Sequence, residues 1–319
     1  MHILFGSLIL FMLLGFPIAF TIGFSTFAWI ILESPFSVMI IPQRFFAGMN
    51  GWSLLAIPLF LLVGNLMNAT DITERLVNLV NAIIGHITGG LALANVGVSM
   101  IFAGISGTAL ADTASVGAIM IPAMKKSGYD SKFSAAVTVS SSIVGPIIPP
   151  SMPMILTGSI LGISIGRLFI GGALPGLLLG FALMVTTYYI SLKKDLPKEE
   201  KKSVSQVFDD FKLAFFALMI PIVMVGGIVF GVFTPTEAGA IGVLSTLIIG
   251  GFIYKTINFK NLYNSFVETA VAAASVLILV GFANVFAWIL SVERVPQMIS
   301  SWMLSITNNE TILLLLIIG

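Results

Sequence analysis

Apolar residues fill this chain in long runs, separated by short stretches of polar residues, glycine and proline. A helix needs about 20 mostly apolar residues to cross the hydrocarbon core of a bilayer. Candidate segments run over 3–32, 52–69, 72–87, 88–124, 132–163, 166–192, 213–232, 236–254, 264–290 and from 311 onward. The pattern predicts an all-α polytopic membrane protein. Two segments carry interruptions that one regular helix does not accommodate. In 88–124 the sequence GISGT falls mid-segment, which predicts a re-entrant hairpin: Leu91 to Ile105 going in, Ala109 to Met124 coming out. In 132–163 the stretch SSSIVGPIIPPSMPMILTG places Gly145, Pro146, Pro149, Pro150 and Pro153 together. Each proline removes a backbone donor and clashes with the preceding turn, and the residue before it is pushed toward an extended shape. Backbone groups freed at membrane depth are tolerated only where protein or a watery cavity satisfies them. A broken helix at this position therefore implies a cavity, and transporters hold ions and substrates in cavities of this kind.

Composition agrees with the segments. The chain is 57% apolar and 9% charged, against roughly a quarter charged residues in soluble domains. A net charge of +1 offers nothing to a nucleic acid, and the absence of cysteine excludes disulfides and thiolate metal sites. Met1 to Ile9 lacks the basic start of a cleavable signal, so the first helix is expected to stay as an anchor. His2 and His86 are too far apart to suggest a metal cluster. Eleven of the 29 charged residues crowd into Lys193–Lys212, which the positive-inside rule places in the cytoplasm together with Lys125 and Lys126. Val204, Val207, Phe208 and Phe211 give this linker an amphipathic stretch, read as a lipid-surface helix.

A weak internal repeat runs through the chain. GFPIAFTIG at 15–23 matches FTPTEAGAIG at 233–242, with Pro17 opposite Pro235, and Leu62-Val63-Gly64 matches Leu279-Val280-Gly281. Repeats of this size are a transporter signature. Carried forward, a second hairpin tip and a second break are expected beyond Gly319, so the chain reads as a fragment lacking most of its second repeat.

The chemistry concentrates at the two interruptions. Ser106, Gly107 and Thr108 offer hydroxyls and exposed carbonyls, the oxygens that a hard monovalent cation such as sodium takes from unwound backbone. Ser140, Ser141, Ser142, Gly145 and Pro146 could complete the cage; against this stands the ordinary use of small residues in close helix packing. Ser151 is placed to cap a half-helix starting near Met152, and Thr108 to cap the outgoing arm of the hairpin. Half-helix N-termini favour an anion, so a carboxylate substrate suits the electrostatics. Asp112, an acid in the polar core of the first half, is either functional or a support to the half-helix behind the ligands. Thr234, Pro235 and Glu237 spell a capping box, which accounts for Glu237 without a proton-carrying role. Asp71 and Glu74 suggest a similar box. Arg75 reads as interfacial, His86 as a helix-end residue, and Trp29, Trp52, Trp288 and Trp302 as anchors or packing residues.

At these residues the chain resembles a known family. IPLFLLVGNLM (57–67), GHITGGLALANV (85–96), SGTALADTASVGAIMIPAMKKSGYD (106–130), VGPIIPPSMPMILTG (144–158), SIGRLFIGGALPG (164–176) and GVFTPTEAGAIGV (231–243) are similar to the large membrane subunit of tripartite ATP-independent periplasmic (TRAP) transporters. The resemblance covers essentially the whole chain. It implies an inverted-repeat, elevator-type transporter: scaffold helices in 1–70, a transport domain in 71–192 with hairpin 88–124 and broken helix 132–163, a cytoplasmic linker at 193–212, and the start of a second repeat in 213–319. It implies sodium-coupled uptake of a carboxylate in a bacterial or archaeal inner membrane, a periplasmic substrate-binding protein that delivers it, and a small four-helix membrane subunit. Sodium would meet Ser106, Gly107, Thr108, Gly145 and Pro146. Substrate would meet Thr108, Pro149, Pro150 and Ser151, with Asp112, Ser141 and Ser142 behind them. No cofactor is expected beyond the coupling ion.

Two other readings compete. One is a stand-alone sodium–dicarboxylate carrier of related architecture. The other is an intramembrane enzyme, since Tyr129-Asp130 resembles half of an aspartyl protease signature; its GxGD partner is missing. No nucleotide-binding P-loop is present, which speaks against direct coupling to ATP.

Overall fold

The computed structural model describes residues 1–307 and 309–318, apart from the side chains of Ile105, Ser106 and Ile318. The described residues fold into helices: α1 (His2–Leu13), α2 (Ile18–Leu32), α3 (Ile40–Met49), α4 (Ala56–Ala69), α5 (Ile72–Ile84), α6 (Gly90–Ser106), α7 (Ala109–Lys126), α8 (Ser131–Ser142), α9 (Met152–Leu161), α10 (Ile165–Lys193), α11 (Val204–Val229), α12 (Pro235–Ile248), α13 (Phe259–Val292), α14 (Val295–Ile306) and α15 (Glu310–Ile318). With their short extensions, α4, α10, α11, α12 and α13 are long and apolar enough to cross a bilayer. The protein is an all-α polytopic membrane protein.

The chain divides into two compact units, Met1–Gly51 with Ala274–Gly319 and Trp52–Ala273. In the first, α1 and α2 pack against each other. Segment 3–32 is therefore two helices, divided at Gly15 and Pro17, where α2 starts. Leu4, Trp29, Ile30, Ile41, Val285 and Ile289 form its buried core.

The second unit holds the interrupted segments. Its α4 and α12 lie close because α12 presents glycines: a Cβ added at Gly239 would stand 2.8 Å from the Leu59 Cβ, and one at Gly242 2.9 Å from Val63. The side-chain amide of Asn65 donates to Thr269 Oγ1 at 2.9 Å, tying α4 to the first part of α13. Segment 72–87 differs from a spanning helix. Its helix, α5, has 13 residues and is about 20 Å long, shorter than a hydrocarbon core of about 30 Å. It runs beside α11; Arg75 stacks 4.0 Å from the Tyr254 ring, and the Tyr254 hydroxyl donates to the Leu213 carbonyl. Asp71 stands at the start of α5 with a left-handed backbone and no side-chain cap, so the expected box with Glu74 does not form.

The lysine-rich linker also differs from expectation. Val204, Val207, Phe208 and Phe211 are the opening turns of α11 itself, capped reciprocally by Ser203 and Gln206. The part before them is fastened to the body. The Pro197 carbonyl accepts from the Gly89 amide at 3.2 Å and from the Tyr129 hydroxyl at 2.9 Å. The Glu199 amide donates to the Gly85 carbonyl at 3.0 Å, and its carboxylate accepts from Asn81 at 2.8 Å. The α5–α6 turn, the α7–α8 turn and the linker thus share one end of the unit. Both α6 and α7 begin and return there, which makes them a hairpin, while α10 carries the chain back to it.

Candidate site at the hairpin tip and the broken helix

The tip forms because α6 ends at a glycine. Gly107 has φ +59°, a left-handed conformation that terminates a helix, and Thr108 is extended. The Thr108 hydroxyl then accepts from the Ala111 amide at 3.2 Å and caps α7. The break forms by the same local rules. After Ser142 the backbone tightens into turns, with the Gly145 amide donating to Ser142 and the Ile148 amide to Val144 at 3.0 and 2.9 Å. The Pro149–Pro150 bond is cis. At Ser151 the chain is extended, and its hydroxyl accepts from the Met154 amide at 3.4 Å, opening α9 with Pro153 in the first turn.

Tip and break meet. The Met152 amide, one of the unpaired donors at the start of α9, donates to the Gly107 carbonyl at 3.2 Å. A Cβ at Gly107 would stand 2.8 Å from the Pro150 oxygen, and one at Gly145 would stand 3.2 Å from the Thr108 oxygen and 3.1 Å from the Ser142 oxygen. Both glycines are therefore points of backbone contact. Pro149, Pro150 and Ser151 are buried beside them. The wall behind is α10: a Cβ at Gly172 would lie 2.8 Å from the Ile147 oxygen, and one at Gly176 2.6 Å from the Ile148 side chain.

The predicted residues are thus largely gathered: Gly107, Thr108, Gly145, Pro149, Pro150 and Ser151 form one junction, with Pro146 joined to it through Ser151. The Ser106 side chain lies outside the described residues. The Ser151 hydroxyl is already occupied, since besides capping α9 it donates to the Pro146 carbonyl at 2.5 Å. Behind the junction, α6, α7 and α8 enclose a buried polar cluster. Asn95 donates to Thr138 Oγ1 at 2.7 Å, Ser99 and Ser141 share a hydrogen bond at 3.0 Å, and Ser142 donates to the Thr138 carbonyl at 2.8 Å. Asp112 is fully buried among them. Ser142 and Ser99 flank its carboxyl group, yet neither carboxyl oxygen has a hydrogen-bond partner among the described residues. A buried, unpaired carboxylate is costly and calls for a cation or a proton.

Residues outside the junction resolve in ordinary ways. Glu237 accepts from the Thr234 amide and hydroxyl at 2.8 and 2.9 Å while its own amide donates back to Thr234, closing the capping box. Asp130 caps α8 by accepting from the Phe133 amide at 3.3 Å. Trp29 is buried, whereas Trp52 and Trp302 are exposed. The serine and threonine pattern was visible in sequence, but the network joining Asn95 and Ser99 to α8 was not, because it depends on which faces of three helices meet.

A hairpin tip docked into a broken helix among membrane-spanning helices, with a buried acid behind it, is the arrangement of a membrane permease. A family model described as "Tripartite ATP-independent periplasmic transporter, DctM component" matches residues 5–319, and the chain belongs to this family. It is 39% identical over 303 residues to the sialic acid TRAP transporter large permease protein SiaM of Vibrio cholerae, covering 95% of this chain and 71% of that protein. It is 37% identical over 316 residues to the isethionate TRAP transporter permease protein DctMQ of Oleidesulfovibrio alaskensis, covering 99% of this chain and 50% of that one. It is 35% identical over 304 residues to the 2,3-diketo-L-gulonate TRAP transporter large permease protein YiaN of Escherichia coli, covering 95% and 72%. The chain thus spans about seven-tenths of two of these relatives and half of the third. The family is one of transport proteins, not enzymes.

Proposed function

We propose that this chain is the ion- and substrate-translocating part of a sodium-coupled importer for an organic carboxylate, seated in the bacterial or archaeal inner membrane. It works with a periplasmic binding protein that delivers the substrate and with a small four-helix membrane subunit. The observation that carries the reading is the junction itself, where the Met152 amide meets the Gly107 carbonyl and Gly145 meets Thr108. The Thr108 and Ser142 carbonyl oxygens converge on Gly145 at this place; each accepts one backbone hydrogen bond, from Asp112 and Gly145, and keeps a second lone pair that suits a cation such as sodium. Asp112, buried behind the junction, would supply a negative charge with a cation bound. The first turn of α9 turns its positive dipole end toward the junction, which favours a carboxylate; its amides are engaged, Met152 with Gly107 and Met154 with Ser151, so the attraction is that of the dipole. The substrates named for two of the relatives, a sialic acid and a diketogulonate, are carboxylates, and that of the third, isethionate, is a sulfonate and likewise an organic anion. Hairpin and broken helix would move together as an elevator, since they touch through backbone atoms.

The test is uptake by the complete transporter in proteoliposomes across a sodium series. Ser106→Ala with Thr108→Ala, and Asp112→Asn separately, should each raise the sodium concentration for half-maximal uptake. Sodium dependence unchanged in both variants would refute the assignment.

A further inference from the structure

The second unit holds another cavity, of about 750 Å³, at the far end of α9 from the break. It is open on one side and bordered by the turn from α9 to α10, the end of α11 and the approach to α12. Among the described lining residues, Arg167 is the only charged one; Ser53, Ser159 and Ser164 add hydroxyls. The Ser159 oxygen is buried and has no partner among the described residues. Arg167 forms no ion pair among the described residues. Glu237, the nearest acid in sequence to the α12 edge of this cavity, is closed onto Thr234.

The position of Arg167 is electrostatically unusual. Ser164 caps α10 and accepts from the Arg167 amide at 3.4 Å, which puts the guanidinium in the first turn of a 29-residue helix. A cation there opposes the helix dipole. Nothing among the described residues offsets it, so the two positive potentials add over a cavity of the size that small ligands fill. An organic anion relieves both. The end of α10 that carries Arg167 is opposite Lys193 and the lysine-rich linker, so positive-inside orientation puts the cavity on the outer face. Residues Met152 to Thr157 of α9, about 9 Å of helix, lie between the break and Gly158, the first residue of α9 to line the cavity.

We propose that this cavity is an outer vestibule in which Arg167 captures the organic anion before it reaches the junction of tip and break. The proposal rests on the function proposed above, and it deepens that reading by naming a waiting site and the residue that holds the charge.

The test exploits a chain without cysteine. Ile163, exposed on the same rim, is replaced by cysteine in the complete transporter, and its reaction rates with anionic and cationic methanethiosulfonate reagents are compared. One charge at ~8 Å in aqueous surroundings should favour the anionic reagent about fivefold in relative rate. Arg167→Gln should remove most of the preference, leaving the smaller part due to the helix dipole, and Arg167→Lys should keep it. In uptake, Arg167→Gln should raise KM for the transported anion severalfold with kcat little changed. An unchanged reagent preference in Arg167→Gln overturns the proposal, whether or not uptake is affected. So does weaker association with the binding protein together with an unchanged KM at saturating binding protein, which would make Arg167 a docking contact. A lost preference in a transporter that carries no organic anion would instead refute the proposed function and leave an anion vestibule of another purpose.

Discussion

Replacing Gly107 with alanine tests the contact between tip and break directly. The added methyl would sit 2.8 Å from the Pro150 oxygen and 2.9 Å from the Met152 nitrogen. Both are backbone atoms, which cannot rotate aside as a side chain would. The left-handed conformation at φ +59° costs a non-glycine residue about 1 kcal/mol. Relieving the clash means separating the tip from α9, which breaks the Met152 to Gly107 hydrogen bond and strands a buried donor at a cost of about 1–3 kcal/mol. The sum is about 2–4 kcal/mol. Gly162→Ala is the matched control: φ there is +67° and nothing stands within 4 Å of the new methyl, so only the conformational cost of about 1 kcal/mol applies. Thermal unfolding of both variants in detergent, each in the complete subunit, should show Gly107→Ala falling clearly further. Equal losses would mean that the backbone contact contributes nothing, and the account of the junction would be wrong.

Other outcomes follow from the same geometry. Glu237→Gln should keep uptake and thermal stability, because glutamine also closes the capping box, while Glu237→Ala should lower the unfolding temperature; loss of ion coupling in a normally folded Glu237→Gln protein would contradict the capping role. Tyr129→Phe removes the hydrogen bond to Pro197 and should cost about 1 kcal/mol, read as a thermal shift near neutral pH. Burial pushes the Tyr129 phenol up to about 12, so its neutral form is the one the fold favours. That contribution is whole below the unfolded value near 10 and is lost as pH rises through about 12. The stability gap between native and Tyr129→Phe protein should therefore narrow over that alkaline interval.

Local chemistry explains which parts of this architecture could be read before any coordinates. The tip and the break rest on rules that act within a few residues: a glycine that stops α6, Thr108 and Ser151 as caps, and prolines that exclude a continuing helix. Thr234 and Glu237 follow the same logic. Features that needed the fold depend on contacts distant in sequence. Segment 72–87 is apolar enough to suggest a span, yet α5 stops at Gly85 after 13 residues, and its polar Arg75 and Asn81 meet Tyr254 and Glu199 from far along the chain. Asp71 carries the composition of a cap but adopts a left-handed backbone that turns it away from that role. The amphipathic start of α11 suggested a separate helix because periodicity does not register where one helix becomes part of a longer one. No arginine stood out in sequence as lining a cavity, since Arg167 becomes part of one only when the ends of α9, α10 and α11 converge.

The fastening of Pro197 and Glu199 bears on where the polypeptide can be divided. Among the described residues, the hydrogen bonds that tie the linker to the α5–α6 and α7–α8 turns end at Glu199, and Lys202 already pairs with Asp210 on α11 at 2.9 Å. Between them, Glu200 and Lys201 are exposed. A gene cut at that peptide bond would give two products with complete ends: one keeping its strap, the other opening on the Ser203 capping box. The parts of the chain before and after that bond could then be made as separate polypeptides and mixed between relatives, with reassembly governed by helix contacts and not by the tether.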